Sequence, residues 1–255
     1  MKSFLYRLLT SAGLTVAFAA SALAQKTPAE PDADLVDDLD LDEYAVIEVY
    51  DPLEPVNRAV FKFNDGLYDY ALRPISKGYT RVVPEPARHG IRNFFDNIRF
   101  PIRFVNSALQ GKFGRAGLET QKFAVNTVAG LGGFIRISDD VPALAAIPRE
   151  DTGQTLGVWR IGKGPYLVLP VFGPGTARDT AGIVGDYFLN PLNWNLRENI
   201  EWYTWEVETG VTTVGILNTL PDILNTYDAP RKNALDPYIA VRSAYIQYRD
   251  AAVKQ

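Results

Sequence analysis

Residues 121–140 read QKFAVNTVAGLGGFIRISDD, and the close spacing of Gly130, Gly132 and Gly133 is the pattern in this chain that could wrap backbone N–H groups around a phosphate. Dinucleotide loops need GxGxxG directly after a strand; here the glycines follow a helical stretch, and Ile135 and Arg136 occupy the wrong places. A Walker loop needs Gly-Lys followed by Ser or Thr, yet Gly162 and Lys163 are followed by Gly164. The reading left for the cluster is a helix C-cap and tight turn between packed elements.

Catalytic sets are equally poor. His89 is the one histidine; it sits in a helical stretch beside Arg88, no GxSxG elbow exists, and a surface or capping role is expected for it. Asp139, Asp140, Glu150 and Asp151 have no spacing that separates a working carboxylate pair from loop solvation. The chain holds no cysteine, which excludes disulfides, iron–sulfur clusters, thiol nucleophiles and thiolate zinc sites. The expectation is a protein that is not an enzyme, with no metal and no cofactor.

The elements around these residues are mostly helices. Lys2 and Arg7 precede an apolar run from Leu8 to Ala20, and Ala22-Leu23-Ala24 is a small-residue site, so a signal peptide over 1–24 with cleavage after Ala24 is expected. That run is too short to span a bilayer, and no later run approaches the roughly 20 residues a spanning helix needs. Residues 25–50 hold one Lys and nine acids, a net of −8, and read as an acidic disordered leader. The whole chain carries −4 and the signal +2, which leaves +2 on residues 51–255, without the basic stripe of a nucleic-acid binder.

From Asp51, DPLEPVNRAVFKFNDGLYDYALRP places Val56, Val60, Phe63, Leu67 and Tyr70 on one helical face, widened by Phe61 and Tyr68, with Arg73 before Pro74 marking the exit. PARHGIRNFFDNI, IRFVNSALQG and RAGLETQKFAVNTVAG read as further helices. VWRI and YLVL flank Gly162–Pro165 and predict a hairpin over 158–169, with Pro170 limiting its second strand. Thr176 with Asp179, and Asn195 with Glu198, have capping-box spacing. The second opens a long helical region that Pro221 ends or kinks, and Asp236-Pro237 starts a last helix striped by Tyr238, Val241, Tyr245 and Tyr248. The fold class is mainly all-α, with no repeat of fixed period.

DPLEPVNRAVFKFN, RPISKGY, VPEPARHGIRNFFDNI, VNSALQGK, QKFAVNTVAGLGGFIRIS, QTLGVWRIGKGPYLVLPVFGPGTARD and DPYIAVRSAY follow one another as they do in the MlaA (VacJ) family, which the chain resembles from Asp51 to about Tyr248. The resemblance implies a single ring-like helical domain over 51–255, lying in the inner, periplasmic leaflet of the outer membrane around an amphipathic channel. It implies removal of mislocalised phospholipid from the outer leaflet and its delivery to a periplasmic lipid-binding carrier, with a trimeric porin as outer-membrane partner. It makes Asn57, Arg58, Phe61, Phe63 and Asn64 candidates for the lipid path or ring, and Gly130, Gly132, Gly133 and Phe134 candidates for a channel-side hinge.

One departure matters: relatives carry a lipobox cysteine, whereas this signal ends SALAQ. Tight but non-covalent membrane association through apolar surface is therefore expected. The alternative is a soluble periplasmic binding or scaffold protein of the same fold, which would bury its aromatic residues. A lipid hydrolase would need a nucleophile that the sequence does not offer.

Overall fold

A computed structural model describes residues 49–194, 196, 200–232 and 234–255. The expected signal peptide, most of the acidic leader and the Asn195–Glu198 capping pair lie outside the described residues.

Helix α1, Glu54–Leu67, begins with Pro55 in its first turn, where the missing N–H costs nothing. It buries Asn57, Phe61 and Asn64, and Tyr68 continues that line. The apolar stripe read from the sequence therefore needs correction. Val60 and Leu67 pack against the core, but Val56 and Phe63 are more than half exposed and Tyr70 is 88% exposed. The inward face meets backbone that needs hydrogen-bond partners, so asparagines face in and much of the apolar stripe faces out.

Pro74 is not an exit either. A π-helical turn, Tyr68–Leu72, carries α1 directly into α2, Arg73–Val82, with the Arg73 N–H bonding Tyr68 O. The wider turn accommodates a proline that cannot supply an N–H.

Helices α3 (Glu85–Ile98), α4 (Phe100–Leu109) and α5 (Phe113–Val128) follow, as the sequence predicts. The Phe100 and Phe123 rings stack at 4.6 Å between α4 and α5. After two short 3-10 turns and the single-turn α6 (Pro142–Ala145), α7 runs Thr152–Val158 with Asp151 as N-cap, its carboxylate accepting the Gln154 N–H. VWRI thus forms no strand, because the Asp151 cap starts a helix that ends at Val158. The hairpin lies further on: β1 (Tyr166–Leu169) pairs antiparallel with β2 (Gly173–Thr176), Tyr166 opposite Thr176. Val171 and Gly173 take positive φ of 70° and 82° to reverse the chain. GPGT has little strand propensity, and it pairs because YLVL lies beside it.

Thr176 caps α8 (Ala177–Leu189) by accepting the Asp179 N–H, as its spacing predicts. Helix α9, Trp205–Asp228, passes through Pro221 without ending. Asp236 caps α10, Pro237–Lys254, through the N–H groups of Tyr238 and Ile239.

Contacts between elements run in a circuit: α1 on β1, β2 on α10, α10 on α7, α7 on α4, α4 on α3, α3 on α9, α9 on α2, and α2 back to α1 through the π turn. One arc holds the main core of Phe61, Tyr68, Tyr166, Val168, Leu224, Tyr227, Tyr238, Val241, Tyr245 and Ile246. Its rings meet edge to face, Tyr68 on Tyr227 at 4.6 Å and Phe61 on Tyr238 at 5.6 Å, geometries worth about 0.5–1.5 kcal/mol each beyond their area. Among the described residues, no helix is long and apolar enough to cross a membrane.

Candidate functional site

The α1 candidates divide by role. Asn57 donates to Tyr166 O at 3.0 Å and accepts the Val168 N–H at 2.8 Å; Asn64 donates to Leu169 O at 3.0 Å and accepts the Val171 N–H at 2.7 Å. Asn57 also donates to Asp51 at 2.8 Å, and the two amides together hold the edge of β1 and the turn that follows it. Arg58 pairs with Glu54 at 2.7 Å and Asp236 at 2.8 Å and lies over the Tyr238 ring at 4.4 Å, tying α1 to the cap of α10. Phe61 belongs to the core, and Phe63 faces outward.

The structure gives the glycine candidates a turn. Gly130 O accepts the N–H groups of Gly133 and Ile135 at 3.1 and 2.9 Å, and Gly132 and Gly133 take positive φ of 73° and 102°. A Cβ on Gly133 would lie 2.5 Å from Asn97 Cβ, so glycine is required by space as well as by angle. Phe134 stacks on Phe94 at 4.7 Å, away from the α1 candidates.

Behind α1, the π turn, the residues around β2, the C-terminal half of α9 and α10 enclose a cavity of about 170 Å³, lined by Tyr68, Phe172, Ile223, Tyr227, Val241 and Tyr245 among others. An engineered cavity of about 150 Å³ holds benzene, so there is room here for a short apolar segment. The tyrosine hydroxyls are tied elsewhere: Tyr68 to Val171 O at 3.0 Å, Tyr227 to Asp65 at 2.5 Å, Tyr245 to Asp179 at 2.9 Å. Burial pushes the Tyr68 phenol up to about 12 and raises Tyr227 and Tyr245 as well, so all three present neutral rings. The cavity is lined mainly by apolar side chains and neutral phenol rings. Phe172, Ile223 and Val241 converge here from three separate parts of the chain, a proximity that their spacing in the sequence does not reveal.

The carboxylates need a correction. Asp139 and Asp140 are exposed, as loop solvation requires, but Glu150 is buried, salt-bridged to Lys112 at 2.8 Å and to Arg115. Asp151 pairs with Arg249 at 2.6 Å, which also reaches Asp179 at 3.0 Å. Close by, Asp186 is pushed up to about 7 by burial and by the charge of Asp151. These groups close the circuit between α7, α8 and α10. Among the described residues no group of three or more His, Cys, Asp or Glu side chains is placed to hold a metal ion. His89 lies exposed, 3.3 Å from Glu85.

Several large apolar side chains stand on the outside of the molecule. Trp159, Trp194, Trp202 and Trp205 are all more than half exposed, with Phe188, Phe113 and Leu235. Two of the indoles turn their N–H groups back to the protein, Trp159 to Leu109 O at 3.1 Å and Trp194 to Phe188 O at 3.0 Å, leaving the ring to the surroundings.

Among the described residues, a circuit of helices with one two-stranded antiparallel sheet and exposed tryptophans defines a mainly helical fold. The chain belongs to the MlaA lipoprotein family, whose model matches residues 49–252. It is 36% identical over 202 residues to the intermembrane phospholipid transport system lipoprotein MlaA of Escherichia coli strain K12, covering 78% of this chain and 77% of that protein. It is 34% identical over 215 residues to an uncharacterized protein of Rickettsia conorii, covering 83% and 81%. A solved structure from work on the structural basis for maintenance of bacterial outer membrane lipid asymmetry matches at TM-score 0.64 and 35% identity, over 80% of this chain and 98% of that one.

Proposed function

We propose that this protein moves phospholipid between the membranes of a two-membrane envelope. Seated on the inner leaflet of the outer membrane, it withdraws mislocalised phospholipid from the outer leaflet through an amphipathic channel and passes it to a periplasmic lipid-binding carrier, with a trimeric porin beside it. The observation that carries the reading is membership of the MlaA family together with an exterior that exposes all four tryptophans, side chains that favour a membrane interface. The apolar cavity supports it, since a lipid tail needs a path that water does not share. No step requires a catalytic group.

In this reading Asn57, Arg58, Phe61 and Asn64 hold the ring, Phe63 belongs to its membrane face, and the Gly130–Phe134 turn is the hinge beside the lipid path. The Escherichia coli relative is named a lipoprotein, whereas these 255 residues contain no cysteine to acylate, so attachment is assigned to the exposed apolar side chains.

The test is the phospholipid content of the outer leaflet in cells lacking the protein and in cells with it restored. Accumulation that restoration reverses is expected; an unchanged surface defeats the reading. Clean release of the protein from membranes by high salt and carbonate would favour a soluble periplasmic scaffold of the same fold.

A further inference from the structure

The apolar cavity behind α1 is closed at one end and open at the other. Tyr68, Ile223, Tyr227, Val241 and Tyr245 form its floor and are all buried. Phe172, Pro174 and Pro230 are half-buried and Ala244 on α10 is exposed, so the cavity meets the surface beside Ala244. Among the described residues no charged side chain lines it, and Thr226 is the one polar lining side chain besides the three tyrosines. The tyrosine hydroxyls donate to Val171 O, Asp65 and Asp179, so a guest meets mostly carbon.

The wall on the side of the hairpin turn is built by hydrogen bonds. Val171, between the two strands, takes φ of 70°, a conformation that a β-branched side chain strongly disfavours. Both of its backbone groups are clamped from outside the hairpin: the N–H donates to Asn64 Oδ1 at 2.7 Å, and the carbonyl accepts the Tyr68 hydroxyl at 3.0 Å. Strain of this kind persists only where neighbouring groups over-determine it, and it gathers at ligand clamps. Here the clamped turn sets Phe172, the next residue, against the cavity and outside the main core cluster.

Size and polarity then select the guest. A void of this size forgoes the contacts that packed side chains would make, and apolar walls give water too few partners to hold it. At about 170 Å³ the space is close to the one of about 150 Å³ that takes benzene, which is room for the end of one hydrocarbon chain and not for two chains side by side. A polar headgroup would lose its water there without gaining partners, so it stays outside the mouth.

We propose that this cavity binds the end of a single hydrocarbon chain, which enters beside Ala244 and lies between Phe172, Ile223 and Val241. The chemistry recognised is an apolar chain, whether an acyl chain of a phospholipid or the tail of a free fatty acid; the phospholipid assignment rests on the transport reading above.

The experiment irradiates the whole protein in phosphatidylcholine vesicles with one of three photoreactive probes and maps the labelled residues by mass spectrometry. The probes are a phosphatidylcholine with a diazirine at the end of one acyl chain, the same lipid with the diazirine beside the ester, and a fatty acid with a terminal diazirine. The chain-end probes are expected to label Phe172, Ile223 and Val241, and the ester-side probe to leave Ile223 unlabelled. A244W, at an exposed position, plugs the mouth and is expected to cut the Ile223 label at least about tenfold, while labels on the outward Phe188 and Trp194 stay unchanged. V241F fills the cavity from within and is expected to do the same; A244W keeps the test decisive where V241F fails to fold. An Ile223 label from the phospholipid that A244W removes supports the acyl chain as guest. The same result from the fatty acid alone leaves the site standing with a free acid as guest and counts against the transport reading. Labels confined to outward residues, or an Ile223 label that A244W does not diminish, overturn the proposal and leave the transport reading to the outer-leaflet measurement.

Discussion

The side chain of Asn57 and the backbone of Val168 bond as neighbouring strands would: the Val168 N–H donates to Asn57 Oδ1 at 2.8 Å, and Asn57 Nδ2 returns a bond to Tyr166 O at 3.0 Å. Asn64 repeats the pair at Leu169 and Val171. Seven residues of helix rise about 10.5 Å and three residues of strand about 10 Å, so two asparagines two turns apart keep step with β1. Replacing Asn57 with Ala strands a buried N–H and a buried carbonyl, and a loss of about 2–4 kcal/mol is expected in denaturant unfolding. N64A should behave alike. A loss under about 0.5 kcal/mol at both positions, the size of an ordinary surface change, would mean that these bonds do not hold α1 to β1.

The glycine turn allows a ranked series. A Cβ on Gly130 would fall 2.0 Å from Ile135 O and one on Gly133 2.5 Å from Asn97, while Gly132 has open space and only its φ of 73° to oppose a side chain. G132A is expected to cost about 1–2 kcal/mol and the other two clearly more. Thermal melts of the three variants check the order; equal losses would mean that the turn is not packed as described.

Phe63 and Tyr70 are 57% and 88% exposed, so changing both to Ser should leave the unfolding midpoint nearly unmoved. If they meet lipid, the same change weakens binding to phospholipid vesicles by about tenfold or more, the scale of one large apolar side chain leaving an apolar medium. Vesicle flotation decides it: undiminished binding takes the membrane off this face.

Asp186 sets a pH dependence of stability. Its carboxylate accepts from the Thr152 N–H at 3.0 Å, the Thr152 hydroxyl at 2.7 Å and Asn106 at 3.4 Å, faces the charge of Asp151, and lies in the field of Arg249. Burial and Asp151 raise it from 3.8 in the unfolded chain to about 7, so the folded state holds a proton that the unfolded state has lost. That stability is complete below the unfolded value and disappears as pH rises toward the folded one. D186N keeps an acceptor and cannot ionise. Its melting temperature should match the unaltered protein at the acid end and exceed it increasingly toward neutrality; a gap that does not change with pH rules the effect out.

Local chemistry was legible in the sequence. Thr176 and Asp236 cap helices where their spacing says they should, Pro170 ends a strand, and the ordered motifs from Asp51 onward specify the family. Each of these depends on residues within a few positions of one another, and such interactions survive in any fold that keeps the segment. Long-range geometry was not legible. Which face of α1 turns inward depended on β1, whose Tyr166 lies 109 residues from Asn57. Whether Glu150 was loop solvation or a buried anion depended on Lys112, 38 residues away. Asp96 looked like one more helix residue until Arg136 and Arg149 came to it from the far side of the glycine turn. Apolar periodicity tells that a helix has two faces; it does not tell which medium each face meets. Here the inner face meets unpaired backbone and the outer face stays apolar, so the tertiary structure, through the hydrogen bonds that had to be satisfied, decided the direction.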